Sequence, residues 1–234
     1  MDVSGKVVMI TGASRGLGRS LVERFASAGA AVAFCSRHYA DLTEIESRCA
    51  TFGAGALALQ CDVRFESDVI RTVHRTFDRF RRIDVVINAA AIRGPRLHIS
   101  AHPLEPWHEV LQTNLTGTYL VCREVVPYMQ RLGRGLIINV TDTAAGPARS
   151  SWGAYSASKS GVEGLSRTLA DELLPRGIRV VTIDPELPPE LSSPTYEHCL
   201  DAFLWLASDE SASLSGQHLR ASEFRHLRRA RVVH

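Results

Sequence analysis

A chain of 234 residues, 45% hydrophobic and 22% charged, is long enough for one α/β domain with a full core. Its net charge of +2 at pH 7 selects no partner, and no apolar run is long enough to span a bilayer. The N-terminus "MDVSGKVVMITG" lacks a secretory leader's pattern, and Cys35, Cys49, Cys61, Cys122 and Cys199 form no CxxC or Cys/His metal pattern, so the chain reads as cytoplasmic, with buried thiols and no metal.

The elements alternate along the chain. "KVVMI" at 6–10 predicts a strand, and the apolar stripe Leu17, Leu21, Val22, Phe25 predicts a helix over 16–28. A strand at 30–35, a helix over 40–52 closed by Gly53, and a strand at 56–61 follow. Next come a helix over 66–80, a strand at 83–89, and one long helix over 107–132 that ends at "GRG". A strand at 136–140, a helix over 152–174 and a strand at 178–183 lead to a helix over 197–207 and a short strand at 217–220. Only the proline-rich "PELPPELSSP" at 185–194 breaks the alternation. The pattern predicts a Rossmann-type, doubly wound parallel α/β sheet of about seven strands with helices on both faces. Residues 1–221 form that single domain and 222–234 a basic tail; from Arg220 onward the chain holds five Arg against one Glu. A solvated terminus is the plainer reading of this tail, and nucleic-acid binding the less supported one.

"TGASRGLG" at 11–18 follows the first strand and opens the first helix. Gly12, Gly16 and Gly18 allow a tight turn and close backbone approach, and the free N–H groups of Ser14, Arg15 and Leu17 then face an anion. A dinucleotide's diphosphate fits this pattern at the first crossover of an α/β chain. An acid at the end of the second strand would bind a ribose 2′-hydroxyl; Ser36 and Arg37 stand there instead, and Arg15 reaches the same region. Two guanidiniums and a hydroxyl suit a 2′-phosphate, which favours NADP(H) over NAD(H).

Tyr155 and Lys159 are four apart on one helix face. A phenol is a poor acid–base group at neutral pH unless a nearby ammonium stabilises its anion. The pair can then exchange a proton with a carbonyl or alcohol oxygen while hydride moves.

Together these residues resemble the short-chain dehydrogenase/reductase family over nearly the whole chain, about residues 5–219. The resemblance implies that "CDV" supplies an adenine contact through Asp62 and Val63, and that "NAAA", beginning at Asn88, stands where the family has NNAG. It implies that Asn114 supports Lys159 through a water, and that Tyr155 and Lys159 are the proton relay. It also implies a small-molecule substrate and a homodimer or homotetramer built on the two long helices.

Three departures stand out. The family's substrate serine lies thirteen residues before the tyrosine, and Asp142 stands there; counted from Gly146, Thr143 does. A carboxylate near Tyr155 opposes phenolate formation, whereas a protonated Asp142 donates to a substrate nitrogen or oxygen during reduction. Pteridine reductases, a branch of the same family, are similar here in carrying aspartate. Next, "DPEL" has Glu186 where the family has the glycine of a Pro-Gly pair, with Pro185 and Leu187 beside the nicotinamide site. Last, only ten residues separate Pro185 from Tyr196, so the substrate lid is cut short.

Arg149 and Trp152 precede the Tyr/Lys helix and flank a flat substrate, or Trp152 packs in the core. His98, His102 and His108 follow no ligand spacing and read as surface residues. The resulting expectation is an NADPH-dependent reductase of a carbonyl or imine. The alternatives are an NADP(H)-binding sensor or assembly subunit without turnover, and a pteridine reductase.

Overall fold

Seven short apolar runs lie side by side in parallel in this computed structural model, which describes residues 1–142, 150–186, 196–224 and 226. The strands are β1 (Val7–Thr11), β2 (Ala31–Ser36), β3 (Ala56–Gln60), β4 (Val85–Asn88), β5 (Gly135–Val140), β6 (Ile178–Asp184) and β7 (His218–Arg220). Their spatial order is β3-β2-β1-β4-β5-β6-β7. Chain direction across the sheet reverses between β1 and β4, which opens a crevice at their C-terminal ends.

The helices are α1 (Gly16–Ser27), α2 (Thr43–Thr51), α3 (Glu66–Phe80), α4 (Leu104–Leu111), α5 (Gly117–Leu132), α6 (Gly153–Leu173) and α7 (Glu197–Ala207). Alternate strand residues serve opposite faces, as the period of two requires. Val8 and Ile10 join Leu21 and Phe25 of α1, Ile45 of α2 and Phe203 of α7 in one core. Met9 and Val86 join Val73 of α3, Val125 and Met129 of α5 and Leu173 of α6 in the other. The doubly wound fold expected from the alternation is the one observed. All five cysteines are free and buried.

Two predicted elements need correction. The single helix expected over 107–132 starts earlier, at Leu104, and is interrupted by a π-helical turn over Gln112–Thr116 before α5 begins. Pro103 and the apolar pair Leu104 and Trp107 start it, and the wide turn carries Asn114 inward. Such a turn inserts a residue into the ladder and is common at functional sites. Gly133, at φ 63°, ends α5 as the "GRG" signal implies. The helix expected over 40–52 opens instead as a 3-10 turn, Tyr39–Leu42.

The proline-rich segment lies outside the described residues from 187 to 195, and Leu187 with it. The basic tail lies largely outside them too. Ala221–Glu223 form a 3-10 turn in which the Glu223 carboxylate accepts from the Arg220 N–H at 3.0 Å. No helix among the described residues is long and apolar enough to cross a membrane.

Candidate active site

The glycine turn is shaped by contacts that leave no room for side chains. A Cβ on Gly18 would lie 2.2 Å from the Gly12 carbonyl oxygen, and one on Gly12 would lie 2.6 Å from the Ala90 Cα. Gly12 also sits at φ 73°, which other residues rarely adopt. Thr11 Oγ1 accepts from the N–H groups of Ala89 and Ala90, each at 3.2 Å, so β1 and the chain leaving β4 are tied together at the crevice. α1 has no acidic residue in its first turn and no side-chain cap, so its N–H groups and partial positive charge face outward.

Beyond this turn lies a cavity of about 650 Å³. Gly12, Ser14, Arg15, Gly16, Leu17 and Gly18 line it, together with Ser36, Arg37, Asp62 and Val63. These ten are among the residues named from sequence for the cofactor, and the structure brings them together around one cavity. The cradle, the free helix start and a cavity of this volume fit a dinucleotide. Asp41 also lines the cavity and is not legible from sequence, because nothing in its local sequence marks it. The Ser36 hydroxyl donates to the His38 carbonyl at 2.8 Å. The Asp62 carboxylate is already engaged by the Arg64 guanidinium at 2.6 Å and by the Arg64 N–H at 3.1 Å. Burial works to raise its pKa, but the Arg64 contacts prevail and hold it below the usual carboxylate value.

Asn88 requires correction as a cofactor ligand. Its amide faces into the protein, donating to Asn139 Oδ1 at 2.8 Å, and Asn139 Nδ2 donates to Ser166 Oγ at 2.8 Å. The register pairs Asn88 with Asn139 across β4 and β5, so the two amides meet beneath α6. This chain fixes the rotation of α6 rather than touching the cavity.

A smaller cavity of about 160 Å³ adjoins the first and shares Leu17, Ala89, Ala91, Ile92 and Arg93 with it as walls. Asp142, Tyr155, Lys159 and Pro185 meet there. The Tyr155 hydroxyl donates to Asp142 Oδ2 at 3.1 Å. Burial, the Asp142 charge and this hydrogen bond all push the Tyr155 phenol far up, and Arg93 opposes them. Lys159 is buried, donates to the Val140 carbonyl at 2.8 Å, and stands 5.7 Å from the Tyr155 ring centroid. Burial pushes its ammonium down to about 8, and Asp142 and Asp184 partly restore it. The sequence reading that Lys159 draws down the phenol therefore needs revision here, because Asp142 is the phenol's direct partner. Asp142 Oδ1 and Thr141 Oγ1 are buried without hydrogen-bond partners.

Asn114 does not reach Lys159 with its side chain. Its Oδ1 accepts from the Ile92 N–H at 2.8 Å, and its Nδ2 donates to the Ile92 carbonyl at 2.9 Å and to Ser158 Oγ at 3.0 Å. Ser158 in turn donates to the Tyr155 carbonyl at 2.7 Å. The π turn thus clamps the loop after β4 onto the turn of α6 that bears the tyrosine.

Trp152 is half-buried beside Tyr155, edge-on to it with centroids 5.8 Å apart, and the Arg93 guanidinium lies 5.5 Å over its ring. Trp152 is therefore at the site and not in the core. Arg93 was missed by sequence reasoning, although its place five residues after Asn88 carries it to the cavity. Thr143 and Arg149 lie outside the described residues. Glu186 holds a left-handed φ of 55°, the conformation a glycine would take without strain. Its N–H donates to Asp184 Oδ1 at 2.7 Å and its carboxylate accepts from the Ser222 N–H at 2.6 Å, which offset that strain. No group of three or more His, Cys, Asp or Glu among the described residues is placed to hold a metal.

A glycine cradle at the sheet's switch point and a Tyr/Lys pair beside it define a protein of the doubly wound, dinucleotide-fold class. The chain belongs to the short chain dehydrogenase family, whose model matches residues 6–187. It is 33% identical over 182 residues to L-fucose dehydrogenase of Oryctolagus cuniculus, covering 78% of this chain and 62% of that one. It is 38% identical over 181 residues to the short-chain reductase protein NovJ of Streptomyces niveus, covering 76% of this chain and 68% of the relative. The chain thus spans less than two thirds of the length of the first of these relatives. The structure of NAD+-bound xylitol dehydrogenase superposes with a TM-score of 0.89 at 25% identity, covering 94% of this chain and 98% of that one. Members of the family are dehydrogenases and reductases that use nicotinamide cofactors.

Proposed function

We propose that the protein is an NADPH-dependent reductase of a small carbonyl or imine compound. The observation that carries this reading is the meeting of Tyr155, Lys159 and Asp142 in a small cavity that adjoins the glycine-lined one. The bound cofactor supplies the hydride. Gly12, Ser14, Arg15, Gly16, Leu17 and Gly18 hold its diphosphate through backbone N–H groups at the start of α1. Val63 and Asp62 flank the adenine, and Pro185 and Leu187 the nicotinamide.

Tyr155 holds the proton at its hydroxyl and gives it to the substrate oxygen or nitrogen. Lys159 places a positive charge beneath it and binds ribose hydroxyls. Asn114 acts through Ile92 and Ser158 to keep Tyr155 in place. Asp142, with one oxygen unpartnered, accepts a hydrogen bond from a substrate N–H or O–H beside the reacting centre. Names of relatives such as L-fucose and xylitol dehydrogenase support a hydroxylated substrate of this kind. Thr143, Arg149 and Trp152 complete the substrate side. In this reading copies of the chain pair through α5 and α6, and the five buried free thiols suit a reducing, cytoplasmic setting.

The phosphate preference rests on Arg15, Arg37 and Ser36. Asp62 is neutralised by Arg64, which leaves Asp41 against the two arginines. Arg37→Asp is expected to weaken NADPH binding about tenfold to a hundredfold and leave NADH binding unchanged or tighter. Titration of the bound-nucleotide fluorescence reads both; equal loss for the two nucleotides removes the 2′-phosphate reading.

Asp142→Ser tests the proton donor. Removing the carboxylate removes two of the causes that raise the Tyr155 pKa, so the phenolate becomes accessible at lower pH. The pH profile for alcohol oxidation should shift toward neutrality, with a gain of about tenfold or more on its acidic limb. An unmoved profile means Asp142 does not set the tyrosine's acidity.

A second reading, a cofactor-binding protein without turnover, is favoured by one observation: the Tyr155 proton already has an acceptor in Asp142. NADPH oxidation across a panel of aldehydes, ketones, quinones and dihydropterin precursors separates the two. Tight NADPH binding with no turnover supports the second.

A further inference from the structure

We infer that the Tyr196 hydroxyl closes the cofactor cavity from the solvent side and donates a hydrogen bond to the cofactor's diphosphate. This rests on the nucleotide-binding reading above and assigns a residue that the sequence reading did not consider. In that role Tyr196 is a positioning residue, covering the diphosphate from the N-terminal end of α7.

The first observation is proximity. A Cβ built on Gly16 would lie 3.0 Å from the Tyr196 hydroxyl and 3.6 Å from Cζ, so the phenol hangs directly over the second glycine of the turn. That glycine opens α1, whose first N–H groups are uncapped. The phenol lines the large cavity together with Arg15 and Arg93. Its hydroxyl therefore faces the same volume as the helix start and two guanidiniums, a setting that suits a doubly anionic group.

The second observation is how the phenol is held there. Tyr196 starts α7, and its carbonyl accepts from the N–H groups of Cys199 and Leu200 at 3.0 and 3.2 Å. His198 Nε2 lies 3.0 Å from the Pro185 carbonyl oxygen, which pins the first turn of α7 to the chain leaving β6. Both ends of the shortened segment are thereby fixed beside the cavity. Burial pushes the Tyr196 phenol up, so it keeps its proton and acts as a donor across the working pH range.

NADPH and adenosine 2′-monophosphate are titrated into the wild type, Tyr196→Phe and Tyr196→Ala, following nucleotide fluorescence for the first and heat for the second. Tyr196→Phe keeps the ring and loses only the donor. It is expected to weaken NADPH about tenfold to a hundredfold, the loss of one hydrogen bond to a charged group, and to leave adenosine 2′-monophosphate, which has no diphosphate, unchanged. Unchanged NADPH binding in Tyr196→Phe overturns the inference, as does equal weakening of both ligands. Tighter NADPH binding in Tyr196→Ala also overturns it, since the phenol would then be occupying the anion's place. Failure of the wild type to bind NADPH overturns the inference together with the reading it rests on, whereas normal binding with an indifferent Tyr196→Phe removes the inference alone.

Discussion

Tyr155→Phe is expected to lower kcat for carbonyl reduction by about 10²–10⁴-fold while NADPH still binds. The substitution removes one oxygen and its proton and keeps the ring that packs edge-on against Trp152. A stability loss of about 1–3 kcal/mol is expected alongside, because Asp142 Oδ2 loses the phenol as its partner while Oδ1 is already buried without one. Binding by fluorescence and single-turnover NADPH oxidation give the two numbers separately. Retained turnover would mean that another group delivers the proton and would sink the relay. The wild-type pH dependence carries the sign of the same claim. The Tyr155 pKa is raised, so the phenol stays protonated well into the alkaline range. The donor for reduction is then present across ordinary pH, and reduction loses no rate through this group as pH rises toward 9. Alcohol oxidation needs the phenolate and is disfavoured over the same range, so the two directions should differ more here than where serine replaces Asp142.

Gly18→Ala is expected to damage both stability and cofactor binding. Its new methyl would sit 2.2 Å from the Gly12 carbonyl oxygen, a backbone atom that cannot rotate away. Relief requires α1 to move off the turn, at a cost of about 1–3 kcal/mol. For a chain of this size that lowers Tm by about 2–4 °C per kcal/mol. The same displacement pulls the uncapped N–H groups out of line with the diphosphate, so NADPH binding should fall about tenfold or more. Thermal melts with and without NADPH read both effects. A variant with wild-type Tm and affinity would show that the turn is not the tight cradle described. Gly53→Ala is the comparison within the same chain: no atom lies within 4 Å of its added Cβ, so its cost comes from its φ of 69° alone.

Much of this was legible along the chain because it depends on local spacing. Alternating β-branched runs and amphipathic stripes fix a parallel sheet with helices on both faces, since only that arrangement buries them all. The glycine turn is readable for the same reason: Gly12 after the strand and Gly16 and Gly18 in the first turn of the helix leave backbone N–H groups with nowhere else to point. The Tyr155/Lys159 pair is readable because residues four apart share a helix face.

The partners of these residues were not legible, because they come from elements far apart in sequence. The sequence offers Asn88 as a cofactor ligand; the β4–β5 register instead gives its amide to Asn139 and Ser166. Asn114 is identifiable as a residue, but only the π turn shows that it clamps Ile92 and Ser158. Lys159 was paired with Tyr155 by spacing alone, yet burial aims its ammonium at the Val140 carbonyl and leaves Asp142 as the phenol's partner. Arg93 and Tyr196 belong to no spacing pattern and reach the cavity only because β4 ends and α7 begins beside it.

The sequence by itself therefore determined the fold class, the nucleotide turn and the identity of the Tyr/Lys pair, all of which follow from periodicity and backbone freedom over a few residues. The tertiary structure alone decided which side chain holds the phenol's proton, which amides lock α6 and which phenol overhangs the glycine turn. Those depend on distances between strands and helices that no local spacing encodes.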